Sequence, residues 1–156
     1  SPSIVNSIIE IPKDTNVKYE YDGELCVFKY DRSLISAMVY PANYGFIPST
    51  LADDGDALDI LIYDTRAITT GTLIEAEVIG VLDMEDDGKK DYKILASPIS
   101  NSRKYSDIED VDSQFLKICK NFFAHYKDLN GKQVSVFDWH SKNFALDIIN
   151  KSIKKS

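Results

Sequence analysis

Cysteine and histidine are scarce in this chain of 156 residues, with two of each. Cys26 and Cys119 are placed among apolar residues and lack the spacing of metal ligands, so we expect two reduced cysteines in the core. The two histidines, His125 and His140, stand apart in the sequence. A histidine-based zinc site or a Ser-His-Asp triad therefore has little support.

Long apolar runs and an excess of positive charge are also missing. No run reaches the length of a membrane span, and no basic segment followed by an apolar one marks the N-terminus for secretion. We therefore expect a cytoplasmic protein without a membrane partner. Acidic residues outnumber basic ones by 25 to 18, for a formal net charge of -7. This balance argues against a nucleic-acid partner, because binding one requires a basic face.

The remaining composition predicts one globular domain over residues 1–156, since 44% of the chain is hydrophobic. Short β-rich stretches are separated by turns and followed by two amphipathic helical patterns, which predicts an α+β fold with a small closed barrel. The Pro41 and Gly45 turn formers predict an irregular loop over 40–46. Predicted strands cover 7–11, 17–21, 25–30, 58–63, 73–84, 91–98 and 134–137, and predicted helices cover about 113–127 and 142–153.

An acidic stretch at 53–59, Asp-Asp-Gly-Asp-Ala-Leu-Asp, runs straight into the apolar residues 60–62. In an extended segment Asp54 and Asp56 project to one side, and Asp59 can swing back toward them from the next strand. Converging carboxylates suit a hard cation such as Mg²⁺ or Ca²⁺. A solvated acidic turn is the plain alternative. An EF-hand does not fit, because the loop lacks its glycine and glutamate positions and its flanking helices.

Further charged side chains have spacings that aim them together. Asp91 and Lys93 share one face of a strand, and Asp86 can reach that face from across the turn at 87–90. Lys18 and Glu20 share a face of an earlier strand, with Tyr19 and Tyr21 on the other face. These pairs are commonly no more than surface ion pairs, and Glu10 and Arg32 on the neighbouring strands can join them.

Seven motifs in order resemble the family I soluble inorganic pyrophosphatases, over roughly Glu10 to Trp139. They are Glu10-Ile11-Pro12, Lys18-Tyr19-Glu20, Asp31-Arg32, the segments at 40–46 and 53–59, the segment at 86–93, and His125-Tyr126-Lys127-Asp128-Leu129. The resemblance implies a distorted five-stranded OB-like barrel with two main α-helices and the acidic pocket at its mouth. It also implies a homo-oligomer, commonly a hexamer, with the helix at 121–128 at a subunit contact.

The resemblance further implies Mg²⁺-dependent hydrolysis of inorganic pyrophosphate to two orthophosphates by in-line attack of a metal-bridging water, with several Mg²⁺ ions in each subunit. Asp56 would be the general base, and Glu10, Glu20 and Tyr40 would support the site. The expected Mg²⁺ ligands are Asp54, Asp59, Asp86 and Asp91, and the expected phosphate-binding residues are Lys18, Arg32, Tyr44, Lys93, Tyr126 and Lys127.

Two positions depart from the family pattern, and three other functions stay open. Ala57 stands where many members have proline, and Asp87 where many have glutamate, which leaves Asp87 doubtful as a ligand. A Ca²⁺-binding module would share the acidic cluster, and an OB-type nucleic-acid binder would share the barrel. The same chemistry could also act on tripolyphosphate or a nucleotide. An acidic pocket conflicts with a polyanionic substrate unless bound cations reverse its charge.

Overall fold

The computed structural model describes residues 3–35 and 37–154. Along this part of the chain, eight strands precede the first α-helix and a ninth strand lies between the two α-helices. The strands are β1 (Ile4–Ile11), β2 (Val17–Asp22), β3 (Val27–Ser33), β4 (Asn43–Ile47), β5 (Leu58–Ile62), β6 (Leu73–Asp86), β7 (Lys89–Lys90), β8 (Lys93–Pro98) and β9 (Val134–His140). The α-helices are α1 (Ser113–His125) and α2 (Lys142–Ser152). Neither has the length and apolar character needed to cross a membrane.

Five strands close into a barrel in the order β1, β4, β5, β8, β6, and the pairing of β1 with β6 completes the circle. The β5–β8 pair is parallel and the other pairs are antiparallel. The 14-residue β6 also pairs with β7 and β9, so one long strand joins the barrel to its two extensions. Closure leaves the barrel without free edges. The predicted α+β fold with a five-stranded barrel and two main helices is therefore confirmed.

The barrel wall separates two apolar cores, because successive side chains of a strand point to opposite faces. Leu61 and Leu95 belong to a core that includes Phe122 and Phe123 of α1. Ile60 and Ile94 belong to a second core, which α2 covers with Ala145 and Ile149. Asp59 and Lys93 have the same strand parity as Leu61 and Leu95. Both polar side chains therefore lie on the wall face that packs against α1.

The antiparallel hairpin of β2 and β3 forms a separate two-stranded sheet. At its tip the side chain of Cys26 is exposed, so the expectation that Cys26 lies in the core is wrong. The backbone of Cys26 is in the left-handed region, with a φ of 57°. Its apolar neighbours Leu25 and Val27 are exposed too, since the hairpin tip extends beyond the barrel. Cys119 is buried in α1 as expected, and both thiols are free.

The segment predicted as an irregular loop at 40–46 instead enters the barrel as β4. Asn43 begins the strand, and its side-chain oxygen accepts hydrogen bonds from the backbone N–H groups of Lys13 and Ile68. Gly45 is required by close strand packing, since a Cβ there would lie 1.9 Å from the Ile8 carbonyl oxygen. A glycine that indicates a turn in the sequence therefore serves here to let two strands approach.

The two helices begin and end close to their predicted limits. Asp112 caps α1 by accepting from the Gln114 N–H, and Ser141 caps α2 by accepting from the Phe144 N–H. Trp139 donates its indole N–H to the Leu116 carbonyl and packs on the core under α1. Ile153, the last residue of the second predicted helix, lies outside α2 and is exposed. It follows the last helical residue, where the chain turns extended and forms an isolated bridge with Thr50.

Candidate active site

A cavity of about 310 Å³ opens between the β2–β3 hairpin, the acidic loop at 53–59 and the C-terminal end of α1. Twelve of the fourteen predicted site residues line it, although they come from six separate stretches of the sequence. The lining comprises Glu10, Lys18, Tyr19, Glu20, Tyr21, Tyr44, Phe46, Asp54, Asp56, Ala57, Asp59, Asp86, Asp91, Lys93, Tyr126 and Lys127.

Lys93 forms the polar centre of the cavity and is only 1% exposed. Residue 93 is the register partner of Asp59 across the parallel β5–β8 pair, which fixes the two side chains beside each other. Its Nζ lies 2.7 Å from Asp59 Oδ2 and 3.0 Å from Asp91 Oδ1, and it donates to the Tyr44 hydroxyl at 2.9 Å. One buried ammonium therefore serves two carboxylates and a phenol.

The electrostatics of this cluster follow from burial and charge. Burial alone would lower the pKa of Lys93, but the adjacent Asp59, Tyr44 and Asp91 outweigh burial and raise it well above its usual range. Burial raises the pKa of Asp59 to about 6, and the negative charge of Asp91 adds to the rise. Burial also raises the pKa of Tyr44. Lys93 is therefore cationic at neutral pH and the Tyr44 hydroxyl keeps its proton as a donor.

Lys127 and Tyr126 reach the cavity from the end of α1. Lys127 Nζ forms an ion pair with Asp86 Oδ2 and lies 5.4 Å from the centre of the Tyr126 ring. Asp86 ends β6 just before the Asp87-Gly88 turn, in which both residues have positive φ, as the tight two-residue hairpin turn requires. Asp87 lies in that turn and does not line the cavity, which agrees with the doubt about it as a ligand.

Glu10 joins the barrel to the hairpin at the rim of the cavity. Its Oε2 accepts a hydrogen bond of 3.0 Å from the backbone N–H of Tyr21. Burial raises the pKa of the Glu10 carboxyl to about 7, with the backbone hydrogen bond opposing the rise. The ring of Tyr21 stacks on Phe46 at a centroid distance of 5.7 Å and an interplanar angle of 24°. The hairpin is therefore attached to the barrel by a polar contact and an aromatic contact.

Asp54 and Asp56 of the acidic loop also line the cavity, and both side chains are exposed. Asp54 Oδ1 accepts from the Asp56 N–H at 3.0 Å, and Ala52 N–H donates to the Asp56 carbonyl at 2.7 Å. Gly55 has a φ of 90°, which only glycine adopts without strain. Asp54, Asp56 and Asp59 therefore line the same cavity.

Two predicted site residues, Arg32 and Tyr40, lie outside the lining. Arg32 is the cross-strand partner of Lys18, and both cations lie 3.5 Å from Asp31 Oδ2. Tyr40 is a buried core residue whose ring packs on those of Tyr44 and Tyr126, at centroid distances of 5.4 and 6.5 Å. Tyr40 thus supports the two lining tyrosines from behind.

Several lining residues escaped the sequence analysis. Tyr19 and Tyr21 were placed on the face of β2 opposite Lys18 and Glu20, yet all four line the cavity. The register of β2 against β3 shifts between Lys18 and Tyr19, and such an irregularity breaks strict alternation along a strand. Phe46 also lines the cavity. Phe46 belongs to the 40–46 motif, but that segment was predicted as a loop, and a loop prediction does not say where a side chain points.

The cavity has a large surplus of negative groups and a donor set that fits Mg²⁺. Seven of its lining residues are carboxylic acids and three are lysines, and carboxylate oxygen is the ligand atom that Mg²⁺ prefers. Within residues 3–35 and 37–154, no three carboxylate, histidine or cysteine side chains are already gathered closely enough to hold one ion. Lys93 and Lys127 instead draw Asp59, Asp91 and Asp86 onto their ammonium groups.

Comparison with known proteins gives a consistent result over nearly the whole chain. The sequence model of the family described as inorganic pyrophosphatase matches residues 7–156. An inorganic pyrophosphatase of Aeropyrum pernix is 43% identical, with 99% of this chain and 91% of the relative covered. One from Campylobacter jejuni is 44% identical, with 98% and 92% covered. The solved inorganic pyrophosphatase of Helicobacter pylori superposes with a TM-score of 0.94 at 39% identity, covering 98% of this chain and 93% of its own.

Proposed function

The chain belongs to the inorganic pyrophosphatase family and is an inorganic diphosphatase, and from this premise we propose that its hydrolysis of pyrophosphate depends on Mg²⁺ and uses Asp56 as the general base. The observation that carries the proposal is the charge of the cavity. Seven carboxylic acids face three lysines in one space. A pyrophosphate anion would be repelled from such a cavity unless cations entered with it.

Asp54, Asp59, Asp86 and Asp91 are the residues that would hold Mg²⁺, with Glu10 and Glu20 supporting the site mostly through water. When bound, Mg²⁺ supplies positive charge to the phosphates and makes an attacking water more acidic. Asp59, Asp86 and Asp91 lie on the barrel wall and its hairpin extension, whereas Asp54 lies on the exposed loop. For these carboxylates to serve as ligands, Lys93 and Lys127 must turn from them toward the substrate.

Within this scheme the other side chains hold the substrate and move one proton. Asp56 is exposed at the cavity mouth, and its carboxylate would accept the proton of the attacking water. Lys93 and Lys127 are buried or half-buried cations whose charge would act on the phosphate oxygens at close range. Tyr44 and Tyr126 keep their protons, because burial raises the pKa of both phenols, and would donate hydrogen bonds. Lys18 and Arg32 would bind from the hairpin.

Metal dependence is tested by measuring phosphate release from pyrophosphate with Mg²⁺ and with excess EDTA. We expect turnover with Mg²⁺ and none with EDTA, since the metal-free cavity and its substrate are both negative. Ca²⁺ should bind yet inhibit, because it is larger, takes looser coordination and acidifies water less. Turnover that persists in EDTA would refute the proposal. Tight Ca²⁺ binding without any phosphate release would indicate a Ca²⁺-binding module instead.

The role of Asp56 is tested with Asp56→Asn, which keeps the shape of the side chain but cannot accept the proton. We expect turnover to fall by roughly 10²- to 10⁴-fold, the usual contribution of a positioned general base. Calorimetric titration should show parental Mg²⁺ affinity, whereas Asp54→Asn and Asp59→Asn should weaken it. Turnover close to that of the parent, or fully restored by more Mg²⁺, would remove Asp56 from this role.

We also propose a homohexameric assembly in the cytoplasm, with no nucleic-acid or membrane partner. Leu129 directly follows the proposed contact at 121–128 and is 67% exposed in the single chain, so a second subunit bound there could cover it. Activity on tripolyphosphate and on a nucleotide should be assayed beside pyrophosphate, because the cavity is open to solvent at the side of the acidic loop.

A further inference from the structure

One buried hydroxyl joins the two ends of the acidic loop. Thr50 is 2% exposed, and its Oγ1 donates to the Ile47 carbonyl at 2.6 Å while accepting from the Leu58 N–H at 2.9 Å. Ile47 ends β4 and Leu58 begins β5. The Thr50 hydroxyl therefore ties the strand before the acidic loop to the strand after it.

The backbone around Thr50 is held from a second direction by the segment that follows α2. The Leu51 N–H donates to the Ser152 carbonyl at 2.7 Å, and the Lys154 N–H donates to the Ser49 carbonyl at 3.0 Å. Thr50 itself forms an isolated antiparallel bridge with Ile153. The Thr50 backbone is thus fixed on both sides, so its side chain extends from a rigid point.

The loop beyond this point has weak anchors of its own. Asp53, Asp54, Gly55 and Asp56 are exposed, and the hydrogen bonds found for this stretch are local, joining residues 52, 54, 55 and 56 to one another. Such bonds set the internal shape of the loop but not its position relative to Asp59 on β5. That position depends on how firmly the two ends of the loop are joined.

We propose that Thr50 is a positioning residue for the reaction, because its hydroxyl holds the loop so that Asp54 and Asp56 face Asp59 across the cavity. The inference rests on the proposed function in that it treats these aspartates as working groups. Thr50 does not line the cavity and would contact neither substrate nor metal. It would act through the joined ends of the loop alone.

The test compares two substitutions at the same position. Thr50→Val keeps the shape of the side chain and removes both hydrogen bonds, whereas Thr50→Ser keeps the hydroxyl and loses a methyl group. Ser7→Ala is the matched control for loss of a buried hydroxyl. Ser7 is fully buried, donates to the Ile74 carbonyl at 3.0 Å and does not line the cavity.

The first readout is amide hydrogen exchange of the metal-free proteins, which requires no activity. In Thr50→Val the amides of residues 52–58 should exchange at least about tenfold faster than in the parent, since the loop ends open more often. Amides of β8 and α1 should keep parental rates. Thr50→Ser should resemble the parent throughout, and so should the 52–58 amides of Ser7→Ala.

The second readout is turnover at saturating pyrophosphate over a range of Mg²⁺ concentrations. Thr50→Val should lower kcat and raise the half-saturating Mg²⁺ concentration by roughly 10- to 100-fold, the usual effect of losing a group that orients metal ligands. Thr50→Ser should restore both parameters to within about threefold of the parent. Ser7→Ala should leave them unchanged at a temperature where it is fully folded.

The outcomes separate the inference from the proposed function. Unchanged exchange at 52–58 in Thr50→Val, or equal losses in Thr50→Val and Thr50→Ser, would overturn the positioning role. An equal loss of turnover in Ser7→Ala would also overturn it, because that result would reflect general destabilisation. A parent that releases no phosphate with Mg²⁺ would refute the proposed function, and the exchange experiment would still decide the role of Thr50.

Discussion

At the scale of single residues, Arg32 lies outside the cavity lining but is proposed to bind the substrate. Its guanidinium is partly exposed and shares Asp31 with Lys18, so it stands beside the cavity on the hairpin. A guanidinium can bind a phosphate with two parallel hydrogen bonds, whereas an ammonium acts as a point charge. Arg32 would therefore add two directed hydrogen bonds to the phosphate, which Lys18 cannot supply.

The first prediction is that Arg32→Lys lowers kcat/KM for pyrophosphate by an amount equivalent to roughly 1–3 kcal/mol of transition-state stabilisation, although the charge is kept. Steady-state kinetics with saturating Mg²⁺ measure this loss. Arg66→Lys is the control, because Arg66 is an exposed arginine paired with Asp64 outside the active-site cavity. If both variants matched the parent, Arg32 would be an ordinary surface residue.

The second prediction concerns Glu10 and the stability of the metal-free protein. Burial raises the pKa of its carboxyl from 4.5 to about 7. Between these values the folded chain holds a proton that the unfolded chain has released. The stabilisation is therefore complete below pH 4.5 and is lost as the pH rises through 7, with an amplitude of about 3 kcal/mol.

Glu10→Gln should reduce this pH dependence, because an amide does not titrate but can still accept from the Tyr21 N–H. Urea unfolding in EDTA at several pH values between 4 and 8 measures the free energy of unfolding. Glu24→Gln, at the exposed hairpin tip, is the control and should keep the parental profile. A Glu10→Gln profile as steep as that of the parent would show that other groups cause the dependence.

At the scale of secondary-structure elements, the approach of β1 to β4 decides where the Tyr44 hydroxyl lies. Gly45 makes the approach possible, because an added Cβ would meet the Ile8 carbonyl oxygen at 1.9 Å and its carbon at 2.8 Å. Tyr44 precedes this glycine, and its hydroxyl accepts a hydrogen bond from Lys93 Nζ. Separation of the two strands would therefore shift a phenol in the active site.

The third prediction is that Gly45→Ala destabilises the protein by more than about 3 kcal/mol, because the strands must separate to relieve the overlap. Thermal and urea unfolding measure the loss. Gly131→Ala is the control. A Cβ at Gly131 meets open space, so only its left-handed backbone, with a φ of 69°, adds a cost of about 1–2 kcal/mol. Equal losses in the two variants would contradict the steric argument.

At the scale of the whole molecule, the fourth prediction is a homohexamer in solution. Sedimentation equilibrium should give a mass six times that of the chain. Leu129→Glu should lower this mass, since it would place a charge directly beside the proposed subunit contact at 121–128. Leu25→Glu makes the same change at a leucine of similar exposure, 65%, on the hairpin tip, and should leave the hexamer intact. A monomeric parent would exclude the hexamer.

The sequence by itself determined most of the chemistry of this protein. The acidic loop at 53–59, the Asp91-Tyr92-Lys93 pattern and the helix ending in Tyr126 and Lys127 are local features that carry the family resemblance. Twelve of the fourteen site residues that the resemblance implies line one cavity. The helices and most strands were also predictable, because caps and apolar periodicity act over a few residues. Local sequence patterns therefore identify which chemical groups the site contains.

Only the tertiary structure decided how those groups are arranged. The pairing of β1 with β6 closes the barrel, the close approach at Gly45 turns a predicted loop into β4, and the register of β5 with β8 sets Lys93 between Asp59 and Asp91. The tertiary structure also places Arg32 beside the cavity rather than in its lining. It brings the Thr50 hydroxyl within hydrogen-bond distance of the Leu58 N–H and so joins the two ends of the acidic loop. These relations depend on contacts between residues distant in sequence, whose energies no local window of the chain contains.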